Sequence, residues 1–472
     1  MLGIAWSDEH AQPYHDDMLI ARIHPAAAGV VKRHATNRTE FRTAAPGLSA
    51  LARLEGAGRL DQVRALNGAV RAERHVAGAS GNALIAAAQH HDLRHAHTGA
   101  LFVNLKNAAD REALHEAMAG DPHVEWVARV PARYFLAGAK SGGLSDVPAI
   151  RMWHHDAIKL HEARALRSFR EPRSVHVAVL DTGVDRRHPA LKGRVHDYIR
   201  HLGGEQFPAD DVVGHGTHVS GIIAAKRHDL GVVGMCDCRL SVYKIFDADT
   251  FPAEESGEAV RLYYVNPLAY RSALALCASS KVDVINMSIG GPAVPDPHEQ
   301  ALFDRLLARG TVLVAAMGNS VAHRSRASYP AAVPGVIAVG AIDAAGEAAN
   351  FSCTGKHITV CAPGVDVWST LPVYGGEFGY RATGSGRRSA GANNPLRRNT
   401  RYDAWPGTSM ACPQVTAAVA MLLATRGRMS PEKVQRLLRR SADKLPAMKG
   451  KAFTTAYGAG LLNVARLLGT RK

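Results

Sequence analysis

Short, continuously apolar runs separated by longer segments of helical periodicity dominate the chain from about residue 149 onward. The runs are 175–181, 240–246, 282–288, 311–316 and 336–340. They do not alternate apolar and polar residues, which is typical of strands covered on both faces. Helices are predicted between and after them at 156–167, 215–226, 258–279, 298–309, 410–425 and 431–440. This order predicts a three-layer α/β/α domain with a mainly parallel sheet, whose ligands bind beyond the carboxyl ends of the strands.

A smaller unit is predicted ahead of this domain. Residues 100–105, 110–119 and 124–136 indicate a strand, a helix and a second strand region, and the spacing of leucine and valine over 48–75 predicts a helix. Residues 138–148 are small, polar and rich in glycine, as in a linker. We therefore divide the chain into a smaller α+β N-terminal domain at 1–137, a linker at 138–148 and the main domain at 149–472.

Composition excludes several classes of partner. The net charge is +15, but aromatic residues make up only 6% and do not interleave with the basic residues, so we expect no nucleic acid. No run approaches the roughly 20 apolar residues of a membrane span.

The first twenty residues hold four acidic residues and no apolar run, so no export signal is visible and the compartment stays unassigned. The six cysteines are too sparse for a disulfide scaffold, and we expect free, buried thiols.

Three polar residues stand at the ends of predicted elements. Asp181 ends the first strand before a glycine turn, His215 lies between two glycines at a helix start, and Ser409 lies at a helix start with Pro413 in the predicted first turn. Each has a simpler explanation when taken alone. Asp181 could simply end a strand, and Ser409 could be an ordinary helix N-cap. His215 could cap a helix, or it could bind a metal together with His218.

Together these residues are the parts of a nucleophilic site. A serine hydroxyl becomes a good nucleophile only when a base removes its proton, and a histidine base needs a carboxylate to hold its tautomer. Asn319 follows the predicted strand 311–316, and its side-chain amide can donate to a developing oxyanion.

Residues 149–472 resemble the subtilisin-like serine proteases, or subtilases. The resemblance rests on the motifs at 178–183, 215–219 and 407–411, and on 284–291, which looks like the family strand that pairs with the substrate backbone. It implies a serine endopeptidase that forms an acyl-enzyme and acts on a polypeptide substrate. The implied catalytic residues are Asp181, His215 and Ser409, with Asn319 in the oxyanion hole.

The resemblance also implies a substrate pocket and an inhibitor. The substrate-binding residues would be Ser288, Ile289, Gly290, Ala316, Gly318 and Ser328. The N-terminal region would act as an intramolecular inhibitor that is cut within Gly138–Pro148. No cofactor and no metal is expected, since Ala190 stands where calcium-binding relatives carry an aspartate. Met317 replaces a usually small residue and is expected to narrow the pocket.

Three alternatives stay open at this stage. The chain could be a subtilase fold without activity that binds or regulates, although the four site residues are intact. The basic insertion at 381–401 is either a solvated loop or a contact for an acidic partner. The N-terminal region could instead be a permanent binding domain, with a histidine cluster that is solvent-exposed or binds metal. That cluster comprises His90, His91, His95 and His97.

Overall fold

A four-stranded antiparallel sheet with two helices forms the N-terminal part of the computed structural model. Its elements are β1 (Tyr14–Ile23), α1 (Pro46–Gly56), β2 (Leu60–Leu66), β3 (Ala100–Leu105), α2 (Ala109–Ala119), β4 (Val124–Pro131) and the short β5 (Tyr134–Phe135). The strand order is β2-β3-β1-β4. Leucines of α1 and α2 pack on one face of this sheet, next to Leu19 and Leu101.

The structure describes residues 13–24, 46–66, 100–135, 152–202, 205–227, 232–255, 258–320, 326–381 and 395–469. The predicted linker, the histidine cluster at 90–97 and positions 382–394 of the basic insertion lie outside these residues. The division of the chain at 137 and 149 therefore stays a prediction.

The main domain follows in the same chain order. Its elements are α3 (Trp153–Ala157), α4 (Leu160–Arg164), β6 (His176–Asp181), β7 (Val195–Ile199), β8 (His201–Leu202), β9 (Glu205–Gln206), α5 (His215–Ala224), β10 (Arg239–Lys244), β11 (Phe246–Glu255), β12 (Glu258–Val265), α6 (Pro267–Ser279), β13 (Val284–Met287), β14 (Ile289–Gly290), α7 (Pro297–Ala308), β15 (Val312–Ala316), β16 (Ile337–Ile342), β17 (Ile358–Pro363), β18 (Val367–Thr370), β19 (Glu377–Arg381), β20 (Pro395–Arg397), β21 (Tyr402–Trp405), α8 (Thr408–Arg426), α9 (Pro431–Ser441) and α10 (Val464–Gly469).

Seven parallel strands make the central sheet, in the order β17-β16-β15-β13-β6-β10-β7. The inner strands β6, β13 and β15 are buried, apart from the half-buried first residue of β6, as their apolar sequences predict. Because the strands are parallel, their carboxyl ends meet at one edge of the sheet, where Asp181 ends β6. The three-layer α/β/α fold with a smaller α+β domain before it is confirmed.

Helix α8 runs through the middle of the core. By length and composition it could pass for a membrane span, but 89% of its apolar stretch is buried inside the domain. The six cysteines are also buried, and none of them forms a disulfide, as expected. Burial raises the pKa of Cys412 to about 12, so this thiol beside the site is a poor nucleophile.

Two helix predictions were wrong in part. Residues 258–265 form β12, an antiparallel partner of β11, and the helix begins only at Pro267. The Asn266 side chain caps that helix, accepting from the backbone amides of Leu268 and Ala269. Residues 60–66 likewise form β2, because the backbone of β3 offers a long-range partner that outweighs the local helical spacing.

The predicted helix at 156–167 is also interrupted. The chain forms α3 and α4 instead, with Lys159 between them at a φ of 60°. This left-handed conformation breaks the helical hydrogen bonding and turns the chain between the two short helices.

Three buried histidines make the fold sensitive to acid. Burial lowers the pKa of His154 and of His218 to about 3. Burial, followed by the charge of His154, holds the pKa of His155 well below its ordinary value. Unfolded histidines titrate near pH ~6.5, so between that pH and the folded values the unfolded chain holds more protons. These groups therefore remove stability progressively as the pH falls below ~6.5, and cost nothing well above it.

We expect the free energy of unfolding to fall by about 2 kcal/mol per histidine between pH 7 and pH 5. Urea unfolding of the Ser409→Ala chain at both pH values measures this without self-digestion. The variant His154→Phe keeps a ring that takes no proton, so its pH dependence should be shallower. An identical pH dependence in the two chains would contradict the contribution of His154.

Candidate active site

Asp181 and His215 meet where β6 ends and α5 begins. Nδ1 of His215 lies 2.7 Å from Oδ1 of Asp181, and both side chains are fully buried. The backbone amide of Thr182 donates to the same carboxylate oxygen at 2.7 Å. A carboxylate only accepts, so Nδ1 carries the proton and Nε2 is the basic nitrogen of this imidazole.

Asp211, which the sequence reasoning missed, holds the start of α5. Its Oδ1 accepts from the Thr182 hydroxyl and the Gly214 amide, both at 2.8 Å. Its Oδ2 accepts from the Thr217 amide at 2.9 Å and the Thr217 hydroxyl at 2.6 Å. A buried carboxylate with four donors locks the loop after β6 to the first turn of α5. An aspartate a few residues before a helix start was the available signal.

Gly216 permits this close approach. A Cβ atom at this position would lie 2.1 Å from the carbonyl oxygen of Gly183, so any side chain would push the helix start away from the loop after Asp181. The absence of a side chain at Gly216 therefore allows the short distance between the Asp181 carboxylate and the His215 imidazole.

Ser409 is the second residue of α8, and Gly407 is the N-cap, with a φ of 148°. The hydroxyl of Ser409 donates to the carbonyl of Ser288 at 2.9 Å. Ser409 is therefore not the N-cap that its sequence position suggested. Pro413 lies inside the helix, past the predicted first turn. Because proline has no N–H, the carbonyl of Ser409 lacks its helical donor and accepts from the Ser288 hydroxyl at 3.0 Å instead.

The side-chain amide of Asn319 faces the same place. Its oxygen accepts from the Thr408 amide at 3.1 Å and the Thr408 hydroxyl at 2.8 Å, which sets the orientation of the group. Its Nδ2 is buried and has no hydrogen-bond partner among the residues that the structure describes. An oriented donor of this kind beside a serine is what the sequence led us to expect of an oxyanion hole.

His218 is a structural residue here. It stacks on Trp405 with ring centroids 4.8 Å apart and planes 7° apart, and its Nε2 lies 3.1 Å from the carbonyl of Asp403. Trp405 also lies beside the ring of His215, at 6.4 Å. In the described part of the chain, no three histidine, cysteine or acidic side chains are grouped as metal ligands. The stacking on Trp405 and the contact with the Asp403 carbonyl account for the burial of His218 through packing.

The predicted substrate-binding residues lie along the backbone of 288–291, which we call the strip. Ser288 touches Ser409, and β14 holds Ile289 and Gly290 directly after it. Gly291 and Tyr329 exchange backbone hydrogen bonds, which brings the neighbouring residue Ser328 to this strip.

The opposite side of the strip comes from the end of β15. Ala316 ends this strand, and a Cβ atom on Gly318 would lie 2.7 Å from the Cβ of Ser328. Met317 belongs to the main core, and its methyl group approaches Gly355.

The end of the N-terminal part lies along this strip. Strand β5 pairs antiparallel with β14, with Tyr134 opposite Gly290 and Phe135 opposite Ile289. On its other side, the carbonyl of Arg133 accepts from the backbone amide of Val265 at 3.0 Å. The segment thus lies between two backbone edges, in the manner of an added strand.

Arg398 comes from the basic insertion and lies behind the loop before His215. It is buried and donates to the carbonyls of Asp211 and Val212, at 3.2 and 2.8 Å, and to those of Tyr374 and Asn399. Burial lowers the pKa of this guanidinium. Neither sequence interpretation of the insertion fits Arg398, which holds the backbone just before α5.

Comparisons with known proteins identify the family of this chain. A family model described as the subtilase family matches residues 173–460. Subtilisin of Bacillus pumilus is 34% identical over 294 residues, which cover 62% of this chain and 90% of the relative. Subtilisin E of Bacillus subtilis is 31% identical over 366 residues, which cover 77% and 80%.

A solved structure shows the same fold. The crystal structure of fervidolysin from Fervidobacterium pennivorans, a keratinolytic enzyme related to subtilisin, aligns with a TM-score of 0.63 at 22% identity. The alignment covers 100% of this chain, which spans 63% of that structure. The family match over more than half of the chain, together with these relatives, shows that the chain belongs to the subtilase family of serine endopeptidases.

Proposed function

We propose that this endopeptidase cleaves peptide bonds through Asp181, His215 and Ser409, with an acyl-enzyme intermediate. The Ser409 hydroxyl turns from the Ser288 carbonyl toward Nε2 of His215, gives up its proton and attacks the peptide carbonyl. Asp181 holds the tautomer of His215 and stabilises the imidazolium.

The second half of the reaction returns the proton. The carbon–nitrogen bond breaks as His215 donates the proton to the leaving amine, which leaves the acyl group on Oγ of Ser409. Water then attacks the acyl carbon of this ester while His215 accepts its proton. The bond between that carbon and Oγ of Ser409 breaks, the carboxylic acid product leaves, and His215 returns the proton to Oγ. The Asn319 amide and the backbone N–H of Ser409 hold the oxyanion in both steps.

The unsatisfied Nδ2 of Asn319 is the observation that carries the proposal. A buried donor without a partner in the described part of the chain is costly unless function needs it, and here it lies beside the proposed nucleophile. A fold that only binds or regulates has no need of such a donor.

A fluorophosphonate probe separates the enzyme from the silent alternative. We expect the probe to label Ser409, because only a serine activated by a base attacks the phosphorus at a useful rate. Labelling of the wild-type chain followed by peptide mapping measures this. If the folded, processed protein takes up no label, the proposed mechanism is overturned and the binding protein becomes the better interpretation.

The N-terminal domain is proposed to inhibit the enzyme until it is cut away. Pairing of β5 with β14 supports this, since it occupies the backbone edge that a substrate would use. A face of the N-terminal sheet also packs on the main domain, where Ile20, Phe102 and Val130 cluster with Leu268 of α6. A permanent N-terminal domain would leave the cleft obstructed.

Self-processing tests this part of the proposal. We expect the wild-type chain to lose its N-terminal domain by a cut within 136–148, the stretch that follows β5 and contains the predicted linker. The Ser409→Ala chain should keep its full mass of 50.4 kDa. Intact mass and N-terminal sequencing measure both. A fully active enzyme that still begins at residue 1 would refute the inhibitory role.

A further inference from the structure

A buried ion pair joins the N-terminal segment to the cleft. Both oxygens of Glu299 lie 3.0 Å from Nη2 of Arg133, and Oε1 also lies 3.3 Å from its Nε. Nη1 of Arg133 donates to the carbonyl of Ala293 at 3.0 Å. Both residues are 1% exposed. A guanidinium held by a carboxylate fork and a carbonyl is a complete arginine site.

Arg133 of the N-terminal segment is the cation that forms an ion pair with Glu299. Glu299 is the third residue of α7, whose N-cap Asp296 forms an ion pair with Arg271 of α6. Burial, followed by the charge of Glu299, raises the pKa of Tyr270 well above its ordinary value. The described neighbours thus pair Asp296 within the main domain, whereas the guanidinium on Glu299 comes from the N-terminal segment.

The strand register fixes which substrate residue reaches this site. Tyr134 lies opposite Gly290 and Phe135 opposite Ile289, and the next residue of the strip is Ser288, which contacts Ser409. A peptide in this register presents to Ser409 the carbonyl of the residue opposite Ser288. Counting back from that carbonyl, the position of Arg133 is the fourth residue on the amino side of the scissile bond.

We propose that Glu299 forms a subsite that selects arginine at the fourth position before the scissile bond, and that Arg133 is its internal ligand. The inference rests on the proposed function of the cleft. The pocket residues expected from the sequence are small or apolar and none is acidic, so they give no sign of a subsite for arginine. In the same register, the first cut in the chain itself falls between Leu136 and Ala137, just before the predicted linker.

A pure docking contact is the competing explanation. In that case Arg133 and Glu299 hold the N-terminal domain in place, and free peptides gain nothing from arginine. A matched peptide pair separates the two. One peptide carries the chain's own residues Arg-Tyr-Phe-Leu before the bond, and the other replaces arginine with citrulline, which has nearly the same shape but no charge.

Both peptides are assayed with the processed enzyme obtained from the full chain. We expect kcat/KM to be at least tenfold higher for the arginine peptide with wild-type enzyme. Glu299→Gln should bring the ratio to within about twofold, and Glu299→Asp should keep part of it. Fluorophosphonate labelling of Ser409 shows that each variant retains its site. If Glu299→Gln does not fold, the wild-type ratio of kcat/KM for the arginine and citrulline peptides still shows whether the cleft selects arginine.

Equal rates on the two wild-type peptides would overturn the subsite and leave the proposed function intact. A preference that persists unchanged in Glu299→Gln would overturn the role of Glu299. Hydrolysis of neither peptide, together with an unlabelled Ser409, would overturn the proposed function and this inference with it.

Discussion

Replacing Ser409 with alanine is expected to lower kcat by about 10⁶-fold. The substitution removes the oxygen atom that attacks the substrate in the proposed mechanism. Without this nucleophile, His215 and Asn319 can assist only a direct attack by water. The fold should survive, since the hydroxyl makes one hydrogen bond to the Ser288 carbonyl. Hydrolysis of casein and of a chromogenic peptide by the purified variant measures the loss.

Ser441→Ala is the matched control. Ser441 is also buried in a helix, and its hydroxyl donates to the backbone carbonyl of Leu438 at 3.2 Å, remote in sequence from the site. We expect it to keep wild-type activity while losing a comparable hydrogen bond. Substantial casein hydrolysis by pure Ser409→Ala would show that another residue is the nucleophile.

Asn319→Ala is expected to lower kcat by about 10²- to 10³-fold, or about 3–4 kcal/mol of transition-state stabilisation. The amide contacts the oxygen only after it has become an oxyanion, so KM should change little. Steady-state kinetics on a peptide substrate separates the two constants. A rise in KM with an unchanged kcat would place Asn319 in ground-state binding instead.

A second variant controls for displacement of the loop. Asn319 also accepts from Thr408, so alanine at 319 frees the first turn of α8 as well. Thr408→Val removes the hydroxyl donor but leaves Nδ2 of Asn319 in place, and we expect a loss of less than about tenfold. An equal loss in both variants would attribute the effect to the position of Ser409.

The candidate site brings together residues far apart in the chain for a simple reason. Parallel strands align their carboxyl ends, so residues that follow β6, β13 and β15 meet at one edge of the sheet regardless of their separation in sequence. Helix α8, packed against these strands, brings Ser409 to the same edge, where it contacts Ser288. Asp211 and Arg398 do not follow strands of the central sheet, so the alignment of strand ends does not point to them. Their roles depend on which hydroxyl and backbone groups the fold brings within hydrogen-bonding distance.

The sequence by itself determined the parallel sheet and the motifs of the subtilase family. Continuous apolar runs specify buried strands locally, and glycines beside Asp181, His215 and Ser409 mark places where backbones come close. These signals lie within a few residues of one another, so no knowledge of distant contacts is needed to interpret them. The helical spacing at 48–75 was equally local, and it was misleading for β2 because pairing with β3 decided that segment.

Only the tertiary structure decided how the N-terminal segment meets the cleft. Arg133 and Glu299 are 166 residues apart, and neither carries a local signal of its partner. Their pairing depends on the register of β5 against β14 and on the N-terminal sheet packing on α6, both of which are set by backbone hydrogen bonds and burial across the domain interface. Such contacts depend on spatial proximity alone, and the amino-acid order around each residue does not encode it.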